Sequence, residues 1–525
     1  MVWKVDAPQG REAAKVRFDV VPYLGKVVLD LGCGPDKISG HAIGVDNGAD
    51  TRLFGIQFKP DVRVDSCEWL PMFADSVADT VFSSHLLEHI VDTRAALAEW
   101  WRLVKVGGYL VLYLPHKRLY PNIGHPGANP DHKHDFLPDD IVGHMGQVAE
   151  ASGCGWELVV NEDRNADYEY SFLQVYRKRE HPGCDVTPQQ PPPPKGKSLG
   201  LVRLGAYGDA LWISTLLPHF KSQGWHITVY TQHQGETMLR HDPNVDRLVV
   251  QPTDVFNFGD GSTSMMQTAY WLHLERKHDH FINLIGAVER RLLPAPYDPD
   301  FYLPDHQRRR TMGHNYIESL HEWAGVPFDP ATVRQLFHPT AEEMAWAAAE
   351  RAKLAGPVVL INPGGSSAPK WWPYAQECAD ALSAEGINAL IVGDLRQAPF
   401  KARGKVQIIG TQWPIRKLLA FAQLADVVIG TESVLVNAVA HTHVYKIVLL
   451  SHSTHENLTR DWFSTLAIEP QGLKCYPCHR IHGDWSSCTF DREEKAAACQ
   501  SAAKADLVLE HVRAYLAEQQ QQAAE

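Results

Sequence analysis

No apolar run in the chain approaches the ~18 residues that a membrane-spanning helix needs. The start, MVWKVDAPQGREAAK, lacks the apolar core of a signal peptide. The expectation is a cytoplasmic protein. Cysteine is sparse, nine in 525 residues and odd in number, which argues against a secreted disulfide framework and for reduced thiols, some of them as metal ligands. Positive charge is in deficit: the formal net charge is −12. Binding of nucleic-acid backbone or of an anionic membrane is therefore disfavoured as the main activity, although a local basic cleft remains open. No internal repeat of solenoid period is present.

What the chain does hold is ordinary for a folded protein, 44% hydrophobic and 21% charged, with length for roughly three domains of ~150 residues. Fifteen tryptophans is a high count. They suit aromatic platforms for sugars or bases, and equally amphipathic core packing. Pro188–Lys197 reads PQQPPPPKGK, a stretch with no apolar face that follows an extended polyproline path. It reads as a linker over 183–197 because each flank opens its own strand–glycine–helix unit; the alternative is a loop inside one large domain.

Before the linker, over 1–182, the runs KVVLDLG, AIGVD, DTVFSS, YLVLYLP and WELVV read as strands. Helical spacing lies between them, as with Leu97, Trp100 and Val104, and strand–helix alternation implies a parallel sheet with helices on both faces. After the linker, GLVRL, HITVYT, DRLVV and HFINL read as strands of one doubly wound lobe (198–339), with helices near 210–223, 265–277 and 315–324. A helix over Thr340–Gly356, with a capping-box pair Thr340 and Glu343, opens a second lobe (340–500) built on VVLINPGG, NALIVGD, VQIIG, DVVIGTES and KIVLLSH. A final helix over 501–525 carries Ala505, Leu509, Val512 and Leu516 on one stripe, with a Gln/Ala tail expected to fray from 519.

In LDLGCGPDK, Asp30 ends a strand, and Gly32-Cys33-Gly34 permit a tight turn with close approach of a ligand to the backbone. Asp46 closes the next strand, where a carboxylate can accept both hydroxyls of a ribose. Asp65 lies near the end of a third strand. A nicotinamide-binding Rossmann unit is the rival reading, but Lys37 stands where its third glycine is normal. These residues resemble the class I S-adenosylmethionine-dependent methyltransferases of the small-molecule type 11 group. The resemblance runs on through Leu70-Pro71-Met72-Phe73, Ser83–His89 and Leu103–Gly108. It implies that Gly32, Cys33 and Gly34 border the methionine part of the cofactor, that Asp46 holds the ribose, that Asp65 and Ser66 lie near the adenine, and that His85 lies at the cofactor–substrate face. Methyl transfer to a hydroxyl needs a base. His116 and His132 are the candidates; with Asp131 and His134 they are read as an acceptor pocket, a solvated loop or a metal cluster.

In RLGAYGDALWIST, Gly208-Asp209 precede a helix, and the carboxylate is placed for a cleft between two lobes. Asp209 can deprotonate an acceptor hydroxyl, or it can simply cap the helix. NPGGSSAPKWWP puts Gly365, Ser366 and Lys370 after a strand, and Glu432-Ser433 stands at a later strand-to-helix turn. Helix N-termini and a lysine suit a departing diphosphate. The arrangement resembles the heptosyltransferase-like glycosyltransferases of family nine, which have the metal-independent GT-B fold. That resemblance implies a nucleotide-sugar donor and inverting transfer, with Asp209 as base, Gly365, Ser366 and Lys370 at the donor phosphates, and Trp413 ahead of the helix beside the nucleotide. The chain departs from the family pattern at Glu432 (for aspartate), Val434-Leu435 (for Gly-Pro), Asn437 (for histidine) and Thr215 (for proline).

Cys475, Cys478, Cys488 and Cys499, with His479 and His482 among them, match a tetrahedral zinc set only in part, because the second pair lacks a compact knuckle. Buried thiols or a disulfide are the alternatives. The expectation is a bifunctional enzyme, a Rossmann-like methyltransferase followed by a two-lobed GT-B glycosyltransferase, acting on a glycan or small-molecule acceptor. The alternatives are a scaffold with a degenerate transferase fold, or a modifier of viral nucleobases.

Overall fold

The computed structural model describes residues 11–48, 58–166, 168–187, 195–252, 255–256 and 263–524. Residues 188–194, which carry the proline run, lie outside the described residues. The chain divides into two compact units, Met1–Pro193 with Gln251–Lys277, and Pro194–Val250 with His278–Glu525. Among the described residues, no helix is long and apolar enough to cross a membrane.

The first unit is built on β1 (Val28–Leu31), β2 (Ile43–Asp46), β3 (Val62–Arg63), β4 (Ala78–Ser84), β5 (Val104–Pro115), β6 (Trp156–Arg164), β7 (Ser171–Lys178) and β8 (Cys184–Val186). They form one sheet in the order 3-2-1-4-5-7-6-8. The first five are parallel, as expected, but β7 runs antiparallel to both β5 and β6. SFLQVYRK went unread as a strand because it is buried on both faces and shows no alternation. The short loop after Arg164 then forces the reversal, since a parallel return needs a crossover of a dozen or more residues. The helix Thr93–Leu103 starts on Asp92, whose carboxylate accepts the Ala95 N–H at 3.0 Å. It buries Leu97 and Trp100; Val104, expected on the same stripe, instead opens β5. The helix Thr263–Glu275, read from sequence as part of the 198–339 lobe, clusters with the first unit and sets Tyr270 and His273 against Phe18.

The second unit contains two parallel sheets. β9 (Ser198–Val202), β10 (His226–Thr231), β11 (Arg247–Val250) and β12 (His280–Asn283) take the order 11-10-9-12. β13 (Val358–Asn362), β14 (Asn388–Val392), β15 (Val406–Gly410), β16 (Val427–Thr431), β17 (Tyr445–Leu449) and β18 (Thr465–Ile468) take the order 15-14-13-16-17-18. Thr340 and Glu343 form the expected reciprocal cap, the Glu343 N–H donating to Thr340 Oγ1 and the Thr340 N–H to the Glu343 carboxylate. The terminal helix Ala505–Ala524 runs past residue 519 and buries Ala505, Leu509, Val512 and Leu516 against the second lobe. Leu509 and Val512 each stabilise that docking by about 1.5–3 kcal/mol.

In each of these sheets the strand order reverses beside the first strand: between β1 and β4, between β9 and β12, and between β13 and β16. Loops leaving the carboxyl ends of such strands diverge and open a crevice. The glycine turns read from sequence follow β1, β9 and β13, so all three face a crevice of this kind.

Candidate functional site

In the first unit, Asp30, Gly32, Cys33, Gly34, Asp46, Asp65, Ser66 and His85 all line one cavity of about 710 Å³. Gly32 has φ +69°, and a Cβ there would stand 2.9 Å from Leu86 Cδ2, so only glycine makes this turn without displacing the wall. Asp46 is oriented by the Gly34 N–H (3.0 Å) and the Gly48 N–H (2.8 Å), one on each carboxylate oxygen. Asp30 accepts the Ile38 N–H at 2.7 Å, and burial pushes its carboxyl up to about 7. Burial likewise raises the Cys33 thiol.

Around His85 the cavity has partners that sequence reasoning missed, Glu12, Ser171 and Tyr170. His85, at φ +50°, sets Nε2 2.8 Å from Ser171 Oγ and 3.6 Å from Glu12 Oε2. Burial pulls its ring down to about 4 despite Glu12, so it is neutral at pH 7. Glu12 also accepts from Tyr170 Oη at 2.7 Å. His132 lines the cavity beside Glu88 and His89, and burial holds it near 4 as well. His116 is not among the lining residues. Its Nδ1 accepts the Arg118 N–H, and its Nε2 lies 3.5 Å from Asp163. His134 points to the Val91 carbonyl. The loop histidines are thus divided: His132 faces the cavity, and His116 and His134 are spent on local structure.

In the second unit, every residue read from sequence as catalytic or nucleotide-sugar-binding lines a single cavity of about 620 Å³: Gly208, Asp209, Gly365, Ser366, Lys370, Trp413, Glu432, Ser433 and Asn437. Asp209 does cap its helix, accepting the Ala206 N–H at 2.7 Å through Oδ2. Its Oδ1 lies 3.7 Å from the buried Arg203 guanidinium, which is clamped by Glu289 at 2.5 and 3.0 Å. Burial raises the Asp209 carboxyl to about 6; Arg203 opposes that rise and Glu289 adds to it. Capping and a base-like pKa therefore coexist in one side chain. Arg203 opens the same RLGAYGD stretch as Asp209, whereas Glu289 carried no motif signal, because it comes from the segment after β12, beside β9 in the sheet.

Across the cleft, Gly365 lets Lys370 fold back: a Cβ at 365 would stand 2.6 Å from Lys370 Cδ. Lys370 Nζ donates to the Glu432 carbonyl at 3.1 Å, and burial lowers its pKa. Glu432, which departs from the family pattern, lines the cavity and commits its carboxylate to a buried network. It accepts from the Ser451 N–H (3.1 Å), the Ser451 hydroxyl (2.5 Å) and the Ser453 hydroxyl, with His452 Nδ1 at 2.7 Å. Burial alone would raise its carboxyl, but His452, Lys370 and Ser451 outweigh that and hold it well below the usual range. Asn437 joins the lobes, accepting from Trp212 Nε1 at 2.9 Å and Gln335 Nε2 at 3.1 Å. Trp413 packs edge-on to Trp346.

Cys475, Cys478, Cys488 and Cys499 line a third cavity of about 240 Å³ together with His482. All are free thiols, so the disulfide alternative is not what the structure holds. Burial pushes Cys478 up to about 12 and Cys488 to about 11. Cys478 Sγ lies 3.5 Å from His482 Nε2. Among the described residues, however, the groups of three ligand atoms within 4.8 Å of one another are Glu88–His89–His132 and His314–Glu318–Glu322, not the cysteines.

Fold and cavities define a Rossmann-like unit followed by a two-lobed α/β unit with an interlobe cleft. Residues 29–112 match the family model described as a methyltransferase domain, and the chain carries that domain. Of solved structures, it is similar to a glycosyl transferase family 9 protein from Veillonella parvula (14% identity, 61% of this chain and 98% of that one, TM-score 0.42). It is also similar to the ADP-heptose lps heptosyltransferase II of E. coli (13%, 62% and 99%, 0.41) and to a SAM-dependent methyltransferase from Archaeoglobus fulgidus (20%, 32% and 95%, 0.23). No curated protein matches the chain.

Proposed function

We propose that the chain is a bifunctional transferase. One site methylates a hydroxyl of a glycan or small molecule from S-adenosylmethionine; the other transfers a sugar from a nucleotide-sugar with inversion. The observation that carries this reading is the convergence, in each unit, of motif residues distant in sequence onto one cavity at a strand-order reversal.

In the first unit, the Gly32 turn and the oriented Asp46 fit a nucleoside with free ribose hydroxyls. S-adenosylmethionine, when bound, supplies an electrophilic methyl group on a sulfonium. The chain's own part is to orient the acceptor and take its proton. His85 is neutral at pH 7 and is our candidate to take that proton, and His132 lines the same cavity. His116, which is not among the residues lining the cavity, is not given that role.

In the second unit, Asp209 takes the proton from the acceptor hydroxyl as that oxygen attacks the sugar carbon from the face opposite the leaving diphosphate. Lys370 and the N–H groups of Gly365 and Ser366 neutralise the departing charge. Trp413 offers an aromatic face for the base. The four cysteines are offered as a structural metal site on their shared cavity alone, since no three of their sulfurs meet within 4.8 Å of one another; metal analysis of the purified protein tests it. The test of the whole reading is a donor screen: release of nucleoside diphosphate from one nucleotide-sugar, dependent on Asp209, together with methyl transfer that is independent of Asp209. Binding of a donor without turnover for any acceptor would favour a scaffold instead.

A further inference from the structure

Glu88 is fully buried, and neither of its carboxylate oxygens has a hydrogen-bond partner. A carboxyl so placed is costly unless something else satisfies it. Imidazole nitrogens surround Oε1: His85 Nδ1 at 3.7 Å, His132 Nε2 at 3.9 Å and His89 Nε2 at 4.0 Å. Each is too far for a hydrogen bond. Yet these lengths approach the ~3.4 Å ligand–ligand edge of a tetrahedral ion with bonds of ~2.1 Å. One ligand atom from each of Glu88, His89 and His132 falls within 4.8 Å of the other two.

From this we infer that Glu88, His89 and His132 form a site for a first-row divalent cation in the wall of the methyl-transfer cavity. Two imidazoles and one carboxylate are a mixed set suited to Zn²⁺, Mn²⁺ or Fe²⁺ rather than to Ca²⁺. Three protein ligands leave positions open for an exogenous oxygen, the pattern of catalytic rather than structural sites. All three residues line the same cavity as Gly32 and Asp46, so an acceptor hydroxyl bound to the cation would face the cofactor pocket. Coordination acidifies that hydroxyl. The step balances: the oxygen loses its proton to His85, the base proposed above, and forms the O–CH₃ bond, while the CH₃–S bond breaks and leaves its electron pair on sulfur. The site favours acceptors that offer adjacent hydroxyls, as sugars do.

The use of the site rests on the methyl-transfer reading, but its existence does not, and the test separates the two. Mn²⁺, a poor partner for thiolates, is titrated into the full chain and followed by electron paramagnetic resonance, with S-adenosylmethionine binding measured in parallel by calorimetry. Expected are a bound Mn²⁺ with nitrogen couplings from imidazole in pulsed spectra, and at least ~10-fold weaker binding in Glu88→Gln and in His132→Ala. Glu88→Gln is near-isosteric and serves if His132→Ala fails to fold. Bound Mn²⁺ without nitrogen couplings, unchanged binding in Glu88→Gln, or no binding at all would overturn the site. Loss of cofactor binding with Mn²⁺ binding intact would instead overturn the methyl-transfer reading.

Discussion

Replacing Asp209 by asparagine separates catalysis from capping in one side chain. The asparagine carbonyl can still accept the Ala206 N–H, and Arg203 keeps its paired contacts to Glu289. The cap is therefore preserved, and the expected loss of stability stays under the ~1 kcal/mol of a deleted cap. What disappears is the proton acceptor. Removal of a general base lowers the rate by ~10²–10⁴, so glycosyl transfer should fall by that factor with donor KM little changed. The wild-type carboxyl, raised to about 6 by burial, must be ionised to act. Its kcat/KM should accordingly climb as pH rises through 6 and level off above, and the variant should lack that limb. The assay is release of nucleoside diphosphate from the active donor between pH 5 and 8, with thermal melting and methyl transfer measured on the same preparation. A variant within ten-fold of wild type that keeps the limb near pH 6 would refute the assignment. So would a loss of activity matched by a melting drop of several degrees.

Lys370→Ala should cut glycosyl transfer by ~10²–10³ through lost stabilisation of the leaving group, read as kcat with donor binding followed separately; an unchanged kcat would remove Lys370 from the chemistry. Gly365→Ala should reproduce part of that loss by pushing Lys370 aside, and normal turnover in this variant would show that the lysine position is not critical. Glu432→Gln should destabilise the second unit by about 3–5 kcal/mol, because His452 and Lys370 lose a buried partner. The folded-state pKa of Glu432 is depressed, so its contribution is complete above the unfolded value of ~4.3 and is lost as pH falls below it. The variant's melting temperature should therefore depend less on pH in that range, and an identical acid profile would contradict the network. Asp46→Ala should weaken S-adenosylmethionine binding at least ~10-fold by calorimetry, from the loss of paired charge-assisted hydrogen bonds to the ribose.

How far the sites were legible follows from where their signals lie. Gly32, Asp46, Gly208-Asp209, Gly365 and Lys370 could be read because a strand, a glycine turn and a polar residue at short spacing leave a local mark. Glu12 and Tyr170 carry no such mark, standing far apart in the chain on the same cavity wall. Glu432 was visible as a departure from a family pattern, but its commitment to Ser451, His452 and Ser453 depends on the loop that follows β17, the neighbouring strand in the sheet. β7 escaped notice because a strand buried on both faces has no period to detect.

The sequence alone determined that there are glycine turns at the ends of buried strands, a net negative charge, and helices with local caps such as Thr340 and Glu343. These depend on backbone sterics and on periodicity within a few residues. Tertiary structure alone decided which polar groups share a cavity, which histidine of the 116–134 loop faces it, and how burial moves Asp209 upward and Glu432 downward. Those outcomes are sums of desolvation and of charges brought close from distant parts of the chain, and no local spacing encodes them.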